Sequence, residues 1–224
     1  IMNSIFELFK VSIGPSSSHT VGPMSAATGF CNDLQDDNIL HRVEKIQIEL
    51  FGSLAYTGKA HGTDKALILG LMGYTPITIN INDVSDIVNK VQTSNSINII
   101  STKEISFNLS SDITYNTTNH PDYHSNALTF YALDSNANKI FSKTYYSIGG
   151  GIILTEDNIT SKRTIYDVAY PFSSCAELLE ICDKNRLMIY DVILENEKYF
   201  YDIDKIKDNI SMLWDTMNKC IEKG

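Results

Sequence analysis

The sequence of 224 residues lacks clustered cysteines, and this absence limits the chemistry it can support. Its four cysteines are Cys31, Cys175, Cys182 and Cys220, and no two of them have the C-x-x-C spacing of metal and redox sites. Cys182 falls in an apolar helical pattern, and Cys31 and Cys220 have similar surroundings, so we expect buried free thiols. No metal ligand is therefore expected in this chain.

Long apolar runs and an excess of positive charge are also missing. No run approaches the roughly 18 residues of a membrane span, and residues 3–9 are amphipathic, so neither a membrane segment nor a signal peptide is predicted. The 18 Lys and Arg residues face 27 Asp and Glu residues, giving a net charge of −9 and no basic stripe for nucleic acid. We expect a soluble cytoplasmic protein.

A run of hydroxyl side chains lies between two Gly-Pro pairs in residues 13–24 (IGPSSSHTVGPM). Loops use such residues to present hydroxyls and free backbone N–H groups. The apolar residues that follow have helical spacing, so the run is expected to lead into a helix N-terminus, where phosphate or carboxylate binds favourably. The alternative is an ordinary N-cap with additional serines.

A second polar cluster occupies residues 51–66 (FGSLAYTGKAHGTDKA) and precedes another apolar helical run. His61 lies between small residues, which makes packing on all sides unexpected, and Gly62 allows the backbone to approach a ligand closely. Asp64 is expected either to cap the helix or to orient the imidazole.

The periodicity of the remaining sequence predicts an α+β fold: one mixed, mainly antiparallel sheet of about four or five strands, covered by helices on one side. Strands are expected within 43–50 and 105–109, in two segments joined by a turn at 134–138, and at 152–154. Helices are expected at 3–9, 20–35, 63–71, 85–93, from Ser173 or Ser174 to 185, at 188–195, and at about 202–222. Gly149-Gly150-Gly151 is interpreted as a bend because no Lys-Ser/Thr follows it. The apolar face of the last helix is expected to be buried in this chain's own core.

Four later segments continue the pattern of the two clusters: His124-Ser125-Asn126, residues 145–151 (YYSIGGG), Pro171-Phe172, and residues 194–197 (LENE). In this order, all six resemble the N-terminal β domain of the iron–sulfur L-serine dehydratases, also called L-serine ammonia-lyases. Ala60 and Leu128 depart from the residues usual in that family, but neither change removes a polar group.

The resemblance implies one β-chain domain over 1–224, with a linking helix at about 202–222 and a fold related to the allosteric substrate-binding domain of some phosphoglycerate dehydrogenases. The full-length lyase would convert L-serine to pyruvate and ammonia, in serine catabolism and gluconeogenesis. Its [4Fe–4S] cluster, whose open iron acts as a Lewis acid on the substrate hydroxyl, would be held by a catalytic α domain outside this chain. The chain is thus expected to be a truncated piece or a separate β subunit that is inactive alone, with the α domain as partner in a homo-oligomer.

The resemblance also implies roles for individual side chains. Three histidines lie in the family motifs (His19, His61 and His124), and each is a candidate for the base that removes the α-proton, because imidazole titrates near working pH. His61 is favoured. L-serine or a similar carboxylate, as substrate or effector, is expected to contact Ser16, Ser17, Ser18, His19, Thr20, Ser53, Thr63, Asp64, His124 and Asn126.

Two other functions fit the same residues. The chain could be a purely regulatory module that binds a small carboxylate, or a structural subunit whose polar loops only dock a partner. Binding of L-serine to the chain alone distinguishes these two alternatives.

Overall fold

A computed structural model describes residues 4–119, 121–159 and 166–223. The chain forms two compact units: Ser12–Ser161, here called the sheet unit, and Ile1–Val11 with Lys162–Gly224, here called the helical unit. The domain predicted over 1–224 therefore comprises two such units.

The sheet unit contains one seven-stranded sheet. Its strands are β1 Lys45–Phe51, β2 Ser96–Ile99, β3 Lys103–Ser106, β4 Ile113–Asn116, β5 Ala127–Leu133, β6 Lys139–Gly149 and β7 Ile152–Thr155. The hydrogen-bonded order is β2-β3-β1-β5-β6-β7, and β4 also pairs with β1. β3 and β4 run parallel to β1, at Lys45↔Ser106 and from Ile48↔Ile113 onward, and the other pairs are antiparallel.

This architecture confirms the predicted α+β fold with a mixed, mainly antiparallel sheet. The expected strand count of four or five is too low, because β2 and β4 were not foreseen. Each has only four residues, too few for the period-two pattern of a strand to stand out. The turn at Gly150 and Gly151 between β6 and β7 confirms the predicted bend.

The helices lie in both units. They are α1 Ile5–Leu8, α2 Gly22–Asp36 (preceded without a break by a π-helical turn, Ser17–Val21), α3 Gly52–Thr57, α4 Thr63–Leu71, α5 Val84–Ser94, α6 Leu109–Asp112, α7 Glu156–Ile159, α8 Cys175–Asn185, α9 Ile189–Glu197 and α10 Ile203–Lys223. Among the described residues, no helix combines the length and apolar character that crossing a membrane requires.

The main core lies between the sheet and α2, α4 and α5. Phe30 of α2 and Leu67 of α4 share one buried cluster with Ile48 and Phe130 of the sheet. The rings of Phe30 and Phe130 stack with their centroids 4.9 Å apart. This packing fixes the N-terminal ends of α2 and α4, which carry the two polar clusters of the sequence.

Residues 194–197 hold the helical unit together. The buried Glu197 carboxylate accepts hydrogen bonds from Ser4 Oγ at 2.8 Å and from the Ile5 N–H at 2.7 Å. The Asn196 side chain pairs with both main-chain groups of Tyr170, at 2.8 Å each. These two residues of the LENE motif therefore make structural contacts.

Helix α10 confirms the helix predicted at about 202–222. The expectation that its apolar face is buried in the chain's own core is wrong. Ile206 is the single buried residue of α10, and Trp214 is 57% exposed. Periodicity identifies an apolar face but does not tell which surface covers it.

Candidate active site

The serine-rich run forms the start of a helix. Helical structure begins at Ser17, three residues before the predicted start, and Ser16 is the N-cap, with its Oγ accepting from the His19 N–H at 3.2 Å. Ser16 is therefore an N-cap, and the substrate contact expected for it stays a prediction. Ser17 is exposed, whereas Ser18 Oγ lies 2.8 Å from His19 Nδ1.

His19 is held between two hydroxyl groups. Its Nδ1 contacts Ser18, and its Nε2 lies 3.0 Å from Ser53 Oγ. Burial and the neighbouring His61 lower the pKa of His19, and a hydrogen bond to Ser53 opposes this change. Since both ring nitrogens are engaged, His19 is better placed to organise the site than to remove a proton.

The lowered pKa of His19 predicts a pH dependence of stability. The unfolded chain binds the proton more readily, so the contribution of neutral His19 is complete above the ordinary value of 6.5 and is lost as the pH falls through the lowered pKa. We expect the urea midpoint to drop between about pH 7.5 and about pH 5, and to drop less in His19→Gln. Equal drops in the two proteins would contradict this role of His19.

His61 presents a basic nitrogen. Its Nδ1 lies 2.9 Å from the carbonyl oxygen of Thr57, and because a carbonyl can only accept, Nδ1 carries the proton and Nε2 carries the lone pair. Nε2 has no hydrogen-bond partner in the described part of the chain. The rings of His61 and His19 lie 4.9 Å apart, centroid to centroid. The Asp64 carboxylate accepts from the Lys65 N–H, so Thr57 and not Asp64 orients the imidazole.

Two buried threonines join the histidine segments reciprocally. Thr20 Oγ1 donates to the His61 carbonyl at 3.0 Å, and Thr63 Oγ1 donates to the His19 carbonyl at 2.5 Å. Both side chains are almost completely buried. Their contacts fix the distance between the two imidazoles, and the substrate contact expected for them stays a prediction.

The segment His124-Ser125-Asn126 lies against the start of α3. The Ser53 N–H donates to the Ser125 carbonyl at 3.1 Å. Gly52 has φ +51°, and a Cβ there would lie 2.3 Å from that same carbonyl oxygen, so only glycine fits. His124 Nδ1 accepts from the Asn126 N–H at 3.0 Å, which places the proton of the neutral ring on Nε2.

Ser147 is a site residue that the sequence reasoning missed. Ser147 is fully buried on β6 and makes two hydrogen bonds to Asn126. Its carbonyl accepts from Asn126 Nδ2 at 3.2 Å, and its N–H donates to the Asn126 main-chain oxygen at 2.9 Å. Ser147 Oγ donates to the Ser18 carbonyl at 2.8 Å. The available signal was a small polar residue two positions after Tyr145, on the inward face of a strand.

The Asn126 amide leaves a buried acceptor. Its Oδ1 has no hydrogen-bond partner among the described residues. An unpaired buried carbonyl costs about 1–3 kcal/mol, so a donor on a ligand would be favoured there.

Together these contacts bring the predicted segments into one polar site within the sheet unit. It offers hydroxyl groups, helix-start N–H groups, an amide oxygen and a free imidazole nitrogen. This set suits a small molecule with a carboxylate and an ammonium group, and it suits proton removal from that molecule.

Most of the chain matches a known family. The profile described as the serine dehydratase beta chain matches residues 4–158. The chain belongs to the serine dehydratase beta chain family. This finding confirms the resemblance drawn from the two polar clusters.

Curated relatives of the chain are named L-serine dehydratases. An L-serine dehydratase of Streptomyces coelicolor is 38% identical over 224 residues, which are 99% of this chain and 49% of that protein. That of Haemophilus influenzae is 37% identical over 225 residues, and L-serine dehydratase 1 of Escherichia coli is 35% identical over 225 residues. Both matches cover 100% of this chain and 49% of the relative. The chain spans about half the length of these relatives.

The four cysteines of the chain do not fit a [4Fe–4S] cluster. Cys31 is buried, donates towards the Leu71 carbonyl at 3.6 Å, and has its pKa raised by burial to about 12. Cys182 is also buried, whereas Cys175 and Cys220 are exposed, so the expectation of burial is wrong for Cys220. In the described ranges, no three His, Cys, Asp or Glu side chains are grouped to hold a metal.

Proposed function

We propose that this chain forms part of the active site of an L-serine dehydratase, with His61 as the base that removes the α-proton of L-serine. The observation that carries the proposal is the free Nε2 of His61 beside a hydroxyl-lined helix start. Membership in the serine dehydratase beta chain family supports the substrate.

Each group of the site has a role in this proposal. The first N–H groups of the Ser17–Val21 turn, with the Ser17 hydroxyl, bind the substrate carboxylate. The Asn126 Oδ1 accepts from the α-ammonium group, and His124 Nε2–H donates to substrate oxygen. His61 Nε2 takes the α-proton as the C–O bond to the β-hydroxyl breaks, and this proton and the hydroxyl leave together as water. The enamine that remains tautomerises to an imine, which adds water and releases ammonia to give pyruvate.

The part of this chain is confined to binding and proton removal. The described thiols do not form a cluster site, so we place the [4Fe–4S] ligands in the half of the relatives that this chain does not match. The partner is the catalytic α polypeptide that contains that half.

Anaerobic reconstitution tests this division of labour. The chain mixed alone with iron and sulfide should stay colourless and form no pyruvate from L-serine. With the α polypeptide added, turnover should appear, and the α polypeptide alone should lack it. A stable cluster band or turnover from this chain alone, or full turnover without it, would refute the proposal.

A regulatory role is the second candidate, and it is favoured because all residues of the site belong to the sheet unit. All hydrogen bonds that build the site join residues between 16 and 147. A site complete in one unit should bind L-serine without a partner. Calorimetric titration of the chain with L-serine should therefore show binding, and a purely docking subunit would show none.

A further inference from the structure

Exposed apolar surface is concentrated in the helical unit. Most large apolar side chains that are exposed in the described ranges belong to α8, α9, α10, the residues just before and after α9, and the end of α1. Trp214 is 57% exposed and Ile221 is 71% exposed, both on α10. Contiguous exposure of this kind marks an interaction surface.

Part of this exposed apolar surface forms a groove. A cavity of about 540 Å³ within the helical unit is lined by Met188, Ile189, Tyr190 and Ile193 together with Ile206 and Ile210 of α10. The same face of α10 continues past the groove through Trp214 and Met217. Groove and helix face together are here called the α10 surface.

The width of the apolar stripe on α10 indicates the kind of partner. Apolar residues recur at alternating steps of three and four from Ile203 to Cys220, and Trp214 and Ile221 each stand one position further on. The apolar residues therefore occupy three positions of the seven-residue repeat: the two that alternate, and the one that follows the second of them. Together these positions span about 100° of the helix circumference, which is typical of a helix packed on a globular core. A two-stranded coiled coil uses a narrower seam.

We propose that the α10 surface docks the catalytic α polypeptide, which corresponds to the half of the relatives that this chain does not match. The curated relatives contain a further half, since this chain covers 49% of each of those described above. The inference rests on the proposed function for the identity of the partner, but it concerns the helical unit and not the histidine site.

Trp214 provides a direct reporter because it is the only tryptophan of the chain. With 5-fluorotryptophan incorporated into this chain alone, one ¹⁹F resonance should show a large H₂O/D₂O isotope shift. Adding the α polypeptide of the same organism should move the resonance and reduce the isotope shift.

Paired variants locate the interface. Ile210→Asp with Met217→Asp should weaken the complex about 100-fold, as expected when buried apolar anchors are replaced. Ser211→Asp with Asn218→Asp adds the same charge next to the stripe and should leave the affinity within about threefold of wild type.

Three results would overturn the proposal: no complex, a complex unaffected by Ile210→Asp with Met217→Asp, or a small isotope shift before the partner is added. A small initial shift that becomes large on dilution would assign the surface to a second copy of this chain. Serine turnover that fails in a normally docked complex would refute the proposed function and leave the docking intact.

Discussion

If the proposed serine dehydratase function holds, replacing His61 with alanine in the complex with the α polypeptide is expected to lower kcat by about 10²–10⁴-fold, the usual contribution of a general base. Its Nε2 is free among the described residues, and its described hydrogen bonds are to main-chain groups of its own turn and to Thr20. The variant should therefore fold normally. Steady-state pyruvate formation, with circular dichroism as a check on folding, measures the effect.

The other two histidines serve as controls. His19 and His124 each use ring nitrogens in contacts within the site, so His19→Ala and His124→Ala should act more on KM than on kcat. Near-normal kcat in His61→Ala, together with loss of kcat in either control, would assign the base to that other histidine.

Gly70→Ala is expected to destabilise the core strongly. A Cβ at Gly70 of α4 would lie 2.3 Å from the Met24 carbonyl oxygen and 2.8 Å from Ala27 Cβ, so α2 and α4 must separate. Overpacking of this kind costs about 1–3 kcal/mol or more of unfolding free energy. Chemical denaturation of the chain measures the change.

Gly29→Ala on α2 is the matched control. The nearest neighbours of a Cβ at Gly29 would be the Tyr145 and Ile153 side chains, at 3.7 Å and 3.8 Å, which is ordinary contact. Alanine is the better helix former, so this variant should gain about 0.5–1 kcal/mol. Equal effects of the two substitutions would show that helix propensity, and not the close approach of α2 and α4, governs both sites.

Strong periodicity made the long elements predictable. Helix α5 and the strands that flank the turn at 134–138 lie where expected, because each carries a regular apolar pattern and a turn marked by its composition. Strands β2 and β4 were not predicted, because they are strands through their pairing with neighbours and not through a local sequence pattern. Helix α3 was not predicted, because Ser53 and Thr57 give its segment the composition of a loop.

The motifs indicated which segments carry the polar residues, but not the hydrogen bonds that join these segments. Tertiary packing alone places Ser53 at His19 Nε2, and the orientation of His61 depends on a carbonyl, which side-chain chemistry does not reveal. For the same reason, sequence suggested Asp64 as a partner of the imidazole, where the structure has Thr57. Ser147 enters because its main-chain N–H and carbonyl both bond to Asn126, although the two residues are far apart in sequence.

Chemical rescue of His61→Ala by added imidazole tests the proton-removal role most directly. If His61 Nε2 takes the α-proton, free imidazole should restore turnover of L-serine in the assembled variant, and the rescued rate should rise with the basicity of substituted imidazoles. His19→Ala and His124→Ala should show no such rescue. Failure of imidazole to restore His61→Ala, with rescue of one of the other two variants, would contradict the assignment of His61 as the base.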